Sequence, residues 1–255
     1  MTLVTPEELL ALATEVGERA GIMLMDRPAT FEISSKSVAI DIATQMDKAS
    51  EKYIVEAILA KRPDDGIIGE EGSERQTRSG ITWVIDPVDG TVNYLYGIPG
   101  WSISIAAKDE NGVLAGIVHA PSITSTWTAL QGGGAWFNGS SISVNDPVEL
   151  DRALIGTGFA YDVRKRFEQG RVAAELLPQI RDLRRMGSAA VDICHVAMGR
   201  FDGYYESGLF EWDRAAASLI ATEAGALFST NAAGVAFCAG PYLYPRLIAA
   251  VEKGA

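Results

Sequence analysis

The sequence predicts a mixed α+β / α/β fold, on three observations. Two amphipathic helical stretches open the chain, a run of short β-rich segments with tight-turn signals fills its middle, and strands alternate with helices from about residue 150. Residues 1–150 are expected to form an α+β part with an antiparallel sheet, and residues 151–255 an α/β part. No repeat or low-complexity linker separates the two, so one compact unit is expected.

The first helix is signalled by Thr5, Pro6 and Glu8, a Thr-x-x-Glu capping box with proline at the first helical position. Leu9, Leu12, Ala13, Val16 and Ala20 then recur at helical spacing. A second helix is expected from about Asp47 to Lys61, with Ala49, Tyr53, Ile54, Ala57 and Ile58 on one face and Pro63 as its stop. Ile67-Ile68 and Thr82 to Ile85 read as strands, each running into acidic residues: Gly69-Glu70-Glu71 and Asp86. Trp101 to Ala107, Val113 to His119 and Ile123 to Leu130 follow, divided by Asn111-Gly112 and Pro121-Ser122. Next come Ala135 to Phe137, the hairpin signal Asn138-Gly139 and Ile142 to Val144. This section reads as an antiparallel meander. Beyond it, strands are expected at Leu154-Ile155, Asp182-Leu183, Gly203 to Tyr205 and Ala226 to Phe228. Helices are expected over Lys165 to Leu177, Ala189 to Met198, Arg214 to Ala224 and Tyr242 to Val251.

Hydrophobic residues make up 47% of the 255, enough for a full core, and the formal net charge is −11. That field repels nucleic acid, so no nucleic-acid partner is expected. The densest basic stretch, Arg164-Lys165-Arg166, reads as a solvated helix face. An acidic protein still takes an anionic ligand when divalent cations lie between them. The two cysteines, Cys194 and Cys238, have no metal or redox spacing and read as buried thiols. The two histidines, His119 and His195, lie in apolar runs and leave little for a zinc or phosphohistidine mechanism. Gly132-Gly133-Gly134 lacks the Lys-Ser/Thr of a phosphate-binding loop and reads as a turn. The first charges are Glu7 and Glu8 with no apolar core behind them. No apolar run approaches the roughly 18 residues of a membrane span. A soluble, cytoplasmic protein without a membrane partner is expected.

The chemistry concentrates in Asp86-Pro87-Val88-Asp89-Gly90-Thr91. Two carboxylates on one stiff turn suit hard cations such as Mg²⁺, which take oxygen ligands. Gly90 permits close approach of a phosphate, and a helix starting at Thr91 would turn free N–H groups toward an anion. Alone, such a turn is common in proteins. Glu70 at a second strand end and Asp213 ahead of an apolar helix add two more carboxylates. A solvated loop acid at Glu70 and a helix cap at Asp213 are the plain structural alternatives.

These segments resemble the inositol monophosphatase family of lithium-sensitive, Mg²⁺-dependent phosphatases. WVIDPVDGTVNY is similar to its first signature, GEEG to its preceding acidic element and EWDRAAASLIATEAGA to its second signature, in matching order over residues 7 to 250. The resemblance implies a layered α-β-α-β-α sandwich of the inositol monophosphatase / fructose-1,6-bisphosphatase type, and commonly a homodimer. It implies two to three Mg²⁺ ions per site. Glu70, Asp86 and the Val88 carbonyl would hold the first, Asp86, Asp89 and Asp213 the second, and Glu70 a third through water. Gly90 and Thr91 would present N–H groups to the phosphate. Asp47 would pair with the Thr91 hydroxyl to orient an attacking water, making Asp47, Glu70 and Thr91 the catalytic set. Lys36 matches a lysine on a loop near the site. Asp89, Gly187, Ser188, Ala189 and Glu206 would contact the substrate alcohol.

The implied reaction is direct in-line attack of metal-activated water on a small phosphate monoester, myo-inositol monophosphate first. Histidinol phosphate, fructose 1,6-bisphosphate and 3′-phosphoadenosine 5′-phosphate are the alternative substrates, and a non-catalytic relative is the alternative of another class. Uncompetitive lithium inhibition is also implied. The sequence departs from the family at Val92, Tyr94, Ala216 and Ala217, which is expected to bear on pocket shape.

Overall fold

Thr5 starts the chain's first helix in the computed structural model, which describes residues 4–35 and 42–254. In α1 (Pro6–Met25), the Thr5 hydroxyl accepts from the Glu8 N–H at 3.3 Å, and the Thr5 N–H donates to the Glu8 carboxylate at 3.0 Å. A short antiparallel pair, β1 (Ile33–Ser35) and β2 (Ile42–Thr44), leads into α2 (Gln45–Lys61). This helix starts earlier than expected because Thr44 caps it and Asp47 closes the capping box. Its buried stripe is also rotated. Ala49 is exposed, and Asp47, Ser50, Glu51, Ile54 and Ile58 face inward. The helical period was legible, but three polar members of the stripe have partners inside the protein.

The first sheet contains β3 (Gly66–Gly69), β4 (Glu74–Arg75) and β5 (Thr82–Asp89). After the short α3 (Thr91–Tyr96) come β6 (Ser102–Asp109), β7 (Gly112–Ala120), β8 (Ser125–Leu130), β9 (Gly134–Phe137) and β10 (Ser140–Ser141). The strand order is β10-β9-β8-β7-β6-β5-β3-β4, parallel only between β3 and β5. The expected meander is therefore present. At the Asn138-Gly139 turn both residues have positive φ, 48° and 79°. This tight turn pairs Phe137 with Ser140 at once, so the last strand is Ser140–Ser141 and not Ile142 to Val144.

One departure in β5 shapes the site. Asp86-Pro87-Val88-Asp89 is not a turn beyond the strand but its bulged continuation. Asp86 pairs with Ser104 and Asp89 with Ser102, so the ladder loses register between them. Pro87 has no N–H to give the ladder, which accounts for the bulge there.

The second half comprises β11 (Leu154–Thr157), α4 (Val163–Leu176), β12 (Asp182–Arg184), α5 (Ala189–Ala197) and β13 (Gly203–Ser207). It continues with α6 (Glu211–Glu223), β14 (Leu227–Thr230), β15 (Val235–Ala239) and α7 (Tyr244–Lys253). The sheet order is β12-β11-β13-β15-β14, with parallel pairs at β11–β12 and β11–β13 and antiparallel pairs elsewhere. β15 escaped the sequence reading because Ala236, Phe237, Cys238 and Ala239 are all buried, leaving no alternation to see.

Five layers result. Helices α1 and α2 pack on one face of the large sheet, around Trp83, Ile85, Ile103 and Ile117. Helices α5 and α6 fill the space between the sheets. Helices α4 and α7 cover the outer face of the small sheet. This is the expected α-β-α-β-α sandwich. A Cβ on Gly116 of β7 would stand 3.0 Å from the Ala216 Cα, so α6 lies on the sheet at close approach there. Trp101 and Trp127 are core residues. His195 is buried between Trp127 and Phe201, and burial pushes its pKa down to about 4. Among the described residues no helix is long and apolar enough to cross a membrane.

Candidate active site

The ends of β3, β5 and β13 and the starts of α3, α5 and α6 meet around a cleft of about 480 Å³. Glu70, Asp86, Asp89, Thr91, Glu206 and Asp213 all line it, although they come from four separate stretches of sequence.

Helix α2 holds one side from behind. Asp47, fully buried, accepts from the Thr91 hydroxyl at 2.9 Å through one oxygen. Its other oxygen accepts from the Thr44 N–H at 2.8 Å and the Thr44 hydroxyl at 2.6 Å. A turn further on, Ser50 donates to the Pro87 carbonyl at 3.1 Å and so ties down the bulge. Glu51 accepts from the N–H groups of Glu71 and Ser73, at 2.8 and 2.9 Å, fixing the acidic turn that carries Glu70. The same carboxyl lies 2.5 Å from where a Cβ on Gly69 would be, so that glycine makes room for it.

Asp86 is at the centre. Burial pushes its carboxyl well above the usual carboxylate range, and Glu70, Asp89 and Asp213 push it the same way. The Val88 N–H donates to its Oδ1 at 3.0 Å. Asp89 crosses from the large sheet to the start of α5. It accepts from the Ser188 hydroxyl at 2.5 Å and from the N–H groups of Ala190 and Ala189 at 2.8 and 3.3 Å. These donors, with Arg185, oppose burial, which still raises its pKa. Asp213 sits inside the first turn of α6, not ahead of it as expected. Its carboxylate accepts from the Phe210 N–H at 2.6 Å, and burial with Asp89 and Glu70 raises it well above normal. Among the described residues no three acidic, histidine or cysteine side chains already form a closed ion cage. Local N–H and hydroxyl donors meet part of the carboxylate oxygens of Asp86, Asp89 and Asp213.

Gly90 links these parts. Its φ is 89°, and a Cβ there would stand 3.0 Å from the Gly187 carbonyl oxygen. Gly187, Ser188 and Ala189 do reach the cleft, but the Ser188 hydroxyl and the Ala189 N–H are already directed at Asp89. Asn93 pins this loop by donating to the Met186 carbonyl at 2.8 Å.

Glu206, at the end of β13, forms the opposite wall. It accepts a hydrogen bond from the Tyr204 hydroxyl, and burial pushes its pKa up to about 7 against the opposing pull of Tyr204 and Arg185. Sequence reasoning missed what positions it. A Cβ on Gly158 would run into the Glu206 carboxyl group. The obstacle is the end of a flexible side chain, so Gly158→Ala is expected to fold with little loss of stability while Glu206 swings away. Thermal unfolding together with the substrate KM of parent and variant checks this. An increase in KM of about tenfold is the scale of one lost hydrogen bond.

Four further expectations are resolved by position. Tyr94 is a core residue whose hydroxyl donates to the Leu24 carbonyl at 2.8 Å, and Ala216 and Ala217 are buried against the sheet. Neither these three nor Val92 lines the cleft, so the departures from the family pattern bear on packing and not on pocket shape. Lys165 of the basic stretch reaches the cleft edge from an exposed helix face. Lys36 lies outside the described residues.

Comparison with known proteins gives a consistent result. The model of the inositol monophosphatase family matches residues 5–253. The chain is 39% identical over 254 residues to the inositol-1-monophosphatase SuhB of Mycobacterium tuberculosis, covering 93% of this chain and 88% of that one. It is 38% identical over 231 residues to the Nus factor SuhB of Haemophilus influenzae, covering 89% and 86%. The crystal structure of the extragenic suppressor protein SuhB from Bartonella henselae matches with a TM-score of 0.91 at 29% identity, covering 97% of this chain and 99% of that chain.

Proposed function

The chain belongs to the inositol monophosphatase family and is a phosphoric monoester hydrolase, and from that premise we propose that it converts myo-inositol monophosphate to inositol and phosphate with Mg²⁺. The observation that carries this reading is the convergence of Glu70, Asp89 and Asp213 on a buried Asp86. Four carboxyl groups in one cleft repel each other and supply only oxygen donors, a set that suits a hard divalent cation.

In this reading Glu70, Asp86 and the Val88 carbonyl would hold one ion, Asp86, Asp89 and Asp213 a second, and Glu70 would serve a third. The bound metal supplies neutralisation of the phosphate and a lowered pKa for water. Thr91, giving its proton to Asp47, keeps its lone pairs for the hydrogen of an attacking water. That water's oxygen bonds to phosphorus as the bond from phosphorus to the alcohol oxygen breaks; of the water's two protons one stays on the phosphate formed and the other passes to the departing alcohol oxygen, so alcohol and hydrogen phosphate leave. The N–H groups of Gly90 and Thr91 precede any intrahelical acceptor in α3 and serve the phosphate. Glu206 and Asp89 receive the alcohol's hydroxyls.

The substrate assignment rests on Glu206. An acid at the alcohol wall accepts neutral hydroxyls and disfavours a second phosphate. The test compares kcat/KM for myo-inositol 1-phosphate, histidinol phosphate, fructose 1,6-bisphosphate and 3′-phosphoadenosine 5′-phosphate, with Mg²⁺ and with EDTA. The inositol ester is expected to lead, and EDTA to abolish turnover. Preference for another ester defeats the substrate assignment, and hydrolysis that persists in EDTA defeats the metal assignment.

A further inference from the structure

The alcohol side of the cleft holds a carboxyl group that the reaction above does not use. Asp192 lies in α5, lines the cleft and is only 2% exposed. Its Oδ1 has no hydrogen-bond partner. Its Oδ2 receives only a long contact, 3.4 Å from the Met186 N–H. Buried polar atoms are nearly always satisfied, so an acid left with one bare oxygen beside a cleft points to a partner from the cleft.

Its surroundings narrow the kind of partner. Burial holds the Asp192 carboxyl above the usual carboxylate range; the Met186 N–H and Arg185 oppose this, and Asp89 and Glu206 add to it. A carboxyl oxygen accepts from a hydroxyl, and a protonated carboxyl donates to one as well. That matches a hydroxyl group, which does the same. A phosphate or carboxylate on the ligand would meet Asp89 and Glu206 as like charges. Glu206 lines the same cleft from β13. Two carboxyl groups on separate elements, both within one alcohol pocket, suit a leaving group with more than one hydroxyl.

We propose that Asp192 reads a second hydroxyl of the leaving alcohol beside Glu206, so that the cleft selects polyol monophosphates over esters of simple alcohols. This rests on the polyol-phosphatase reading above. A purely structural Asp192 would instead hold the Met186 to Ser188 loop, and its loss would slow every ester alike.

The test measures kcat and KM of the Mg²⁺-loaded enzyme and its Asp192→Ala, Asp192→Val and Asp192→Asn variants. The substrates are myo-inositol 1-phosphate and p-nitrophenyl phosphate, whose leaving group has no further hydroxyl. In Asp192→Ala and Asp192→Val the ratio of kcat/KM for the inositol ester to that for the aryl ester is expected to fall about tenfold, through KM. Asp192→Asn, which keeps a donor and an acceptor, is expected to hold the ratio within about threefold. A ratio that stays constant in Asp192→Ala and Asp192→Val, whether both rates fall or neither does, overturns the proposal. If the unmodified enzyme hydrolyses the aryl ester but not the inositol ester, the polyol reading itself has failed, and that result is seen before any variant is made.

Discussion

Asp86→Asn is expected to lower Mg²⁺-dependent phosphate release by about a thousandfold or more, the scale of several kcal/mol of lost transition-state stabilisation. The same variant is expected to be more stable than the parent in EDTA. The reasons are separate. The carboxylate is shared between both proposed ion sites, so one substitution weakens both. Asn keeps a carbonyl oxygen for the Val88 N–H, so the bulge has no reason to move. It also removes one negative group from a cluster in which Glu70, Asp89 and Asp213 all act against Asp86. Relief of that repulsion should raise the metal-free melting temperature by a few degrees, as about 1 kcal/mol does in a domain of this size. Phosphate release and thermal unfolding in EDTA check the two halves independently. Full activity in this variant would remove Asp86 from the metal site, and a lower melting temperature would show that its charge is compensated by other groups.

This trade-off could be foreseen only partly from the sequence. Asp86, Asp89, Glu70 and Asp213 were legible because each stands at the end of a locally marked element, and acids at element ends are visible without tertiary information. The matching signatures added their order. What sequence could not show was how those acids are held. Apolar residues of α2 recur at the right period for a buried stripe, but they do not fix its phase. Its phase is set by Asp47, Ser50 and Glu51, whose partners Thr91, Pro87 and the turn at Glu71 to Ser73 lie far along the chain. A polar residue looks solvent-facing until such a partner is known. The reach of Asp89 to Ser188 and Ala190 and the fit of Glu206 against Gly158 are long-range in the same sense. Only Gly158 carried a local signal, a glycine three residues past the strand-like Leu154-Ile155.

The layering explains why the acids converge. Helices α5 and α6 sit between the sheets, and both start where β5 ends. The start of a helix presents N–H groups and favours negative charge. Asp89 exploits the first of these helices and Asp213 belongs to the second. The fold therefore offsets part of the cost of gathering carboxylates before any cation binds, through donors from Ser188, Ala189, Ala190 and Phe210.

Thr91→Val is expected to reduce kcat by about 10²- to 10⁴-fold, the range of a lost proton acceptor in the transition state, with KM little altered. The substitution is nearly isosteric and removes only the hydroxyl that bonds Asp47 and the Val88 carbonyl. Asp47 keeps its two bonds from Thr44, so α2 stays capped and the fold should lose only about 1–2 kcal/mol. Asp47→Ala is a different experiment, because it removes the closing member of the α2 capping box as well as the partner of Thr91. It should therefore lower kcat and the melting temperature together. Thr91→Ser, which keeps the hydroxyl, should retain most of the activity. Steady-state kinetics and thermal unfolding on the three variants separate the roles. If Thr91→Val kept kcat within about threefold, the hydroxyl would be a structural link between α2 and α3, and the attacking water would have to be oriented elsewhere.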